Sequence, residues 1–353
     1  MKKGALLLLF AFVFVFGAYT PAGADVIKLK SANYLPQSHK MSLLGQKFCD
    51  EVNKRLAGKV EITYFPGGTL LSPDKMYNGI TQGIADMGLS HIAYNTGRFP
   101  VTEALQMPLG YPSGWVASMV SSDFYNKFKP KEWEKVHVLY LTMSGPCIIH
   151  SVSKPVRTLE DLKGMKIRGT GTLADVLKAL GASPVPLAMP DVYESLRRKV
   201  LDGVMVDLSV LRQWKFAEVE KYVTANWQLG TGYVFYFVMD QNKWKSLPPE
   251  AQKVFTEVAA EISDLQAVLW NDTDVDSRDY FVKNMGGQIL PLSDAEAAKW
   301  KKAVEPVISD YKKAMQKQGH SAAETDSWMK FIAERIDYWT KQEKKKGIAT
   351  PFL

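Results

Sequence analysis

Between Pro249 and Gly286 the chain carries neither Gly nor Pro, and Val254, Phe255, Val258, Ile262, Leu265 and Leu269 recur along it at helical spacing. Most helices of globular proteins run three or four turns, so an uninterrupted segment of this length exceeds what one small domain needs. It predicts a helix that runs along two bodies rather than one.

The sequence upstream supplies two such bodies. An alternating stretch at Val26 to Ala32, an amphipathic helix from about Ser42 to Leu56 and a strand from Val60 to Phe65 make a strand–helix–strand beginning. Pro66-Gly67-Gly68 breaks the chain, a helix follows from about Pro73 to Gln82, and Ala85 to Leu89, Val136 to Thr142 and Ile148 to Val152 read as further strands. A second series opens where Thr158 and Asp161 start a one-turn helix that stops at Gly164. Met165 to Arg168 is then a strand leading through Gly169-Thr170-Gly171 into a helix at Thr172 to Leu180, another helix opens at Pro190, and Val204 to Asp207 and Tyr233 to Asp240 are strands. Ser293 and Glu296 cap a helix after the long one, and the remainder is helical to about Lys341. Two blocks of alternating strands and helices define two α/β domains, in which ligands sit beyond the carboxyl ends of the strands.

The N-terminus sets the compartment. Lys2 and Lys3 precede an apolar run from Ala5 to Ala18, and Ala22-Gly23-Ala24 has the small-residue pattern of a secretory cleavage site, so residues 1–24 are expected to be a signal peptide. No Cys stands at that point to carry a lipid anchor, and no later apolar stretch is long enough to span a bilayer. Cys49 and Cys147 both lie in apolar surroundings and read first as small buried hydrophobes, with a bridge between them the alternative in an oxidising compartment. The net charge of +7 is spread among interspersed acids and bases. That pattern fits a weak bias toward anionic solutes better than nucleic-acid binding, and the basic Lys341 to Lys346 stretch reads as solvated.

No catalytic or metal-binding constellation is visible: there is no H-E-x-x-H, G-x-S-x-G or Walker sequence, and the five histidines are scattered singly. Neither a cofactor nor a metal is expected. Gly169, Gly171 and Ala174 imitate a dinucleotide fingerprint, but the context of an exported chain argues against a nicotinamide cofactor, and the free N–H groups at the helix start would still favour an anion. Arg168, at a strand end, can reach into a cleft and grip a carboxylate through two parallel charge-assisted hydrogen bonds, the alternative being a surface arginine.

Several stretches carry a family resemblance. They are Tyr64-Phe65-Pro66-Gly67-Gly68-Thr69-Leu70, the run from Thr158 to Arg168, Gly181-Ala182-Ser183-Pro184, and Asp191-Val192-Tyr193 with Leu196 followed by Asp202-Gly203. In this order and spacing the chain resembles the DctP-type solute receptors of tripartite ATP-independent periplasmic (TRAP) transporters, from about Asp25 to about residue 280. The resemblance implies a two-lobed periplasmic-binding-protein-like α/β fold with a long helix spanning both lobes. The expected division gives one lobe residues 25–145 plus about 235–270, and the other 146–234 plus about 271–353 with the C-terminal helices.

It also implies that Arg168, at the family's K-x-R position, binds the carboxylate of a small organic acid. Asn33 and His91 fall on polar ligand-contacting positions. Sugar-acid receptors of the family carry a second arginine where this chain has Ile148, and an asparagine where it has Val206, which speaks against sialic acid. Met189, Val206, Trp214, Tyr233 and Tyr236, with Asp207 beside Val206, would make the rest of the pocket largely apolar and aromatic if they line it. The expected ligand is an aryl, branched-chain or 2-oxo monocarboxylate, handed to integral-membrane TRAP permease subunits. A monomer is the expected state and a dimer the alternative. Two other function classes stay open: a receptor feeding an ATP-driven importer, and a secreted enzyme acting on small acids.

Overall fold

A computed structural model describes residues 25–352. The expected signal peptide lies outside the described residues. In chain order the strands are β1 (Ile27–Asn33), β2 (Val60–Phe65), β3 (Met87–His91), β4 (Val136–Met143), β5 (Ile148–Ser151), β6 (Lys166–Arg168), β7 (Ser183–Val185), β8 (Gly203–Val206), β9 (Tyr222–Ala225), β10 (Val234–Asp240) and β11 (Gln288–Pro291). They form two sheets, of order β2-β1-β3-β10-β4 and β11-β9-β5-β8-β6-β7. Each sheet with its helices is one lobe of the expected α/β architecture.

The chain crosses between the sheets after β4 and returns before β10. Both crossings are paired to each other, Ser144 N–H donating to Tyr233 O (3.0 Å) and Cys147 N–H to Thr231 O (2.8 Å). β10 reads as a continuous apolar run because it lies inside its sheet, antiparallel to β3 on one side and β4 on the other, with both faces covered. The capped turn expected near residue 158 is present, with reciprocal Thr158 and Asp161 hydrogen bonds.

The Gly/Pro-free segment is a single helix, Pro249–Met285. At 1.5 Å per residue it is about 55 Å long, enough to cross both lobes. Its first half is tied to the first lobe by Arg55–Glu261 (2.7 Å) and Lys59–Glu250 (2.8 Å), its second half to the other by Arg212–Asp276 (2.6 Å) and by Phe281, buried in a cluster with Ile148, Leu208 and Val223.

The last helix departs from the expected division. Ala322–Lys346 packs back on the first lobe, where Arg335 and Trp339 both donate to Asp123 (2.6 Å each) on the helix Gly114–Phe128 and Glu343 accepts from Ser113. An apolar stripe through Trp328, Met329 and Ile332 needs a partner surface, and the helix Gly114–Phe128 offers one. Cys49 and Cys147 are unbridged and buried, and burial pushes the Cys49 thiol up to about 12.

Candidate functional site

A cavity of about 30 Å³ lies between the lobes. The first sheet contributes the end of β1 with Tyr34, the end of β3 with His91, and Phe235 of β10. The second contributes Arg168 from the end of β6 and Val206 with Asp207 from the end of β8, and the long helix adds Trp270. The site is thus built at strand ends, where a side chain can leave the sheet.

Arg168 is 1% exposed. Its Nε donates to Leu187 O (2.9 Å) and Nη1 to the Tyr233 hydroxyl (3.0 Å), while Nη2 is buried without a protein partner. The Tyr233 hydroxyl also accepts from Thr170 N–H (3.2 Å), so the loop after β6 and the guanidinium are fixed through one phenol. A guanidinium keeps its charge when buried, and no carboxylate among the described residues is bonded to this one. Two donor groups held and one left free give a preset fork with its open tine facing the cleft.

His91 is sandwiched by aromatic rings, stacked on Tyr94 at 3.8 Å and tilted against Tyr233 at 4.7 Å. Burial, then the nearby Arg168 charge, hold its pKa well below the ordinary imidazole value, so the ring is neutral. Its Nδ1 has no protein partner. The lobes meet across the cleft: Met189 N–H donates to the Tyr94 hydroxyl (3.0 Å), Lys40 N–H to Gln213 Oε1 (3.0 Å), and His39 lies 6.2 Å from Trp214.

The structure brings together Arg168, His91, Met189, Val206, Asp207, Trp214 and Tyr233 around the cavity. Three expected residues lie elsewhere. Asn33 is turned away, its amide donating to the Tyr64 hydroxyl (2.8 Å) and accepting from Leu35 N–H (2.9 Å); alternation along the strand hands the cleft position to Tyr34. The same parity sends Tyr236 to the far face of β10, among Tyr77, Phe99 and Trp133, and puts Phe235 in the cleft. Ile148 belongs to the small core cluster around Phe281. Sequence reasoning missed Tyr34, Tyr94, Phe235 and Trp270. The two strand residues were recoverable from parity, whereas Trp270 reads as one more apolar position on the long helix.

The fingerprint-like loop has a packing role. A Cβ on Gly169 would stand 2.5 Å from Leu177, and Gly171, at φ +56°, faces Ala93 of the other lobe so closely that a Cβ would stand 2.8 Å from the Ala93 Cβ. These glycines let a helix approach its strand and one lobe approach the other.

Two buried carboxyls neighbour each other here, Asp207 in the cavity wall and Asp274 on the long helix. Asp207 accepts from Ser209 N–H (3.1 Å) and its hydroxyl, while Asp274 of the long helix has an oxygen with no partner. Burial raises both pKa values, and for Asp274 the neighbouring Asp207 raises it further. Acids that hold protons more tightly folded than unfolded contribute stability that is full below the ordinary value of 3.8 and is lost as pH rises through their folded values. Asp274→Asn should remove that loss, so the melting-temperature gain of the variant over wild type should widen from pH 4 to pH 8. A gain independent of pH would show that the fold does not raise the Asp274 pKa above its unfolded value.

Two lobes joined by paired crossing segments, with an unneutralised guanidinium held in the cleft between them, define a two-lobed solute-binding protein. The chain matches the model of DctP, the bacterial extracellular solute-binding protein family 7, over residues 31–314, and it belongs to that family. It is 27% identical over 304 residues to the C4-dicarboxylate-binding protein DctB of Bacillus subtilis, covering 81% of this chain and 83% of the relative. A TRAP periplasmic solute-binding protein from Desulfovibrio salexigens has 33% identity and a TM-score of 0.76, over 89% of this chain and 97% of that one. A marine metagenome TRAP protein specific for aromatic acid ligands, crystallised with 3-hydroxybenzoate, has 25% identity and a TM-score of 0.83, over 89% of this chain and 99% of that one.

Proposed function

We propose that this protein captures a small monocarboxylate with an apolar or aromatic body in the interlobe cleft, Arg168 binding the carboxylate, and delivers it to a TRAP-type permease without chemical turnover. The observation that carries this reading is the free Nη2 of a fully buried Arg168. A desolvated cationic donor without a partner is costly, and a carboxylate satisfies it through a short charge-assisted bond. The rest of the lining, with Tyr34, Tyr94, Phe235, Met189 and Trp214, suits an apolar body. Asp207, the one acid among the lining residues, disfavours a second carboxylate.

A cavity of about 30 Å³ is far smaller than the roughly 300 Å³ or more of ordinary ligand pockets, so capture requires the lobes to part and close again. A ligand that touches both lobes adds contacts only in the closed state and shifts the population toward it. The leader exports the chain, and the partner membrane protein supplies the energy of uptake.

Thermal shift with benzoate, phenylacetate and branched 2-oxo acids, set against succinate and galacturonate, tests the ligand class. The first group should raise the melting temperature. Stabilisation by dicarboxylates or sugar acids alone would reject the reading.

A further inference from the structure

The cleft has a second orphan donor, on the long helix. Trp270, 2% exposed, lines the cavity from the long helix, and its indole Nε1 is buried without a partner. An indole N–H can only donate, and leaving it dry and unbonded is unfavourable. The backbone around it is fixed: Gly114 packs so closely that a Cβ there would stand 2.5 Å from the Trp270 Cβ, and the adjacent Asn271 accepts from Trp115 N–H (2.9 Å).

A chain of ring contacts connects the Trp270 side chain to Arg168. The Arg168 guanidinium lies 5.5 Å from the Tyr233 ring, Tyr233 lies 4.7 Å from His91, His91 lies 5.3 Å from Phe235, and Phe235 lies 5.2 Å from the Trp270 ring. The two free donors thus belong to different side chains lining one small cavity, linked through the aromatic rings packed between and around them. With the carboxylate seated on Arg168, an oxygen on the ligand's body is the acceptor left for the indole N–H.

The geometry points to Trp270 as a specificity-determining residue whose indole N–H reads an acceptor oxygen on the body of the ligand, so that the preferred class is a hydroxy-, oxo- or ether-substituted monocarboxylate rather than an unsubstituted one. This rests on the proposed binding of an apolar monocarboxylate at Arg168. His91, whose Nδ1 is also free, lies beside Tyr233 near the guanidinium and belongs to the carboxylate end.

Calorimetry with benzoate, 3-methylbenzoate, 3-hydroxybenzoate and 3-methoxybenzoate tests it. Wild type should bind the hydroxy and methoxy acids about 5- to 50-fold more tightly than the methyl acid, the range for satisfying rather than stranding one neutral donor. In Trp270→Phe that ratio should fall to near one. Whether or not the variant folds, the wild-type series can refute the assignment, because methyl and methoxy groups differ in the acceptor. In protein labelled with nitrogen-15 tryptophan, one indole N–H resonance should move downfield with the hydroxy acid and not with the methyl acid. Equal affinities in wild type, or a ratio retained in Trp270→Phe, would overturn the assignment. Benzoate binding with no preference sinks this inference alone, whereas no binding by any of the four acids sinks the proposed ligand class and this inference with it.

Discussion

Replacing Arg168 by alanine should weaken carboxylate binding by about 2 to 5 kcal/mol, the scale for truncating one partner of a desolvated charge pair. Three arms of the guanidinium are in play: Nε on Leu187 O, Nη1 on Tyr233 and the free Nη2. Arg168→Lys should lose most of the same amount, since an ammonium cannot keep two anchoring bonds and offer a third donor in a fixed plane. Arg168→Met fills similar volume without charge, and by removing a buried cation that no carboxylate neutralises it should leave the ligand-free protein as stable as wild type or more so. Calorimetry and thermal melts together check this. Unchanged affinity in Arg168→Ala would remove the guanidinium from the site, and marked destabilisation in Arg168→Met would make it a structural residue instead.

The second large effect is expected far from the ligand. His150 Nδ1 and Glu220 Oε2 lie 2.9 Å apart with both side chains fully buried in the second lobe, bridging β5 and the segment before β9. Each has its second polar atom without a partner, and burial raises the Glu220 pKa against the pull of His150. Removing one member strands the other. His150→Leu should therefore cost about 3 to 5 kcal/mol of stability, read as a lowered guanidinium chloride midpoint, while the double variant His150→Leu/Glu220→Met should recover most of it. Additive losses in the double variant would show that the two side chains do not act as a pair.

Local pattern made much of the fold legible. The long helix followed from its freedom from Gly and Pro, β10 from its unbroken apolar run, and the turn at Thr158 from its capping residues. The short strands β7, β9 and β11 were not legible, nor was the helix Gly114–Phe128. Strands of three or four residues carry too few positions to establish a period, and Tyr222–Ala225 becomes a strand by pairing with β5 and β11, Gln288–Pro291 by pairing with β9. Of the residues expected at the site, seven line the cavity together with others that the sequence does not mark, and the K-x-R resemblance singles out Arg168. Asn33 and Tyr236 missed by a single step, because at a strand end the pleat decides which of two neighbours faces the cleft.

The sequence by itself determined two α/β blocks, the helix that runs along both, and a cationic strand end suited to an anion, because each depends on spacing and residue type within one segment. Only the tertiary structure decided that Arg168 is buried with one arm free, that Tyr233 from the returning crossing segment holds it, and that Trp270 of the long helix lines the same cleft. Those facts depend on where segments distant in the chain come to rest against each other, and the strengths of a buried charge and an orphan donor follow from that placement because both are set by exclusion of water.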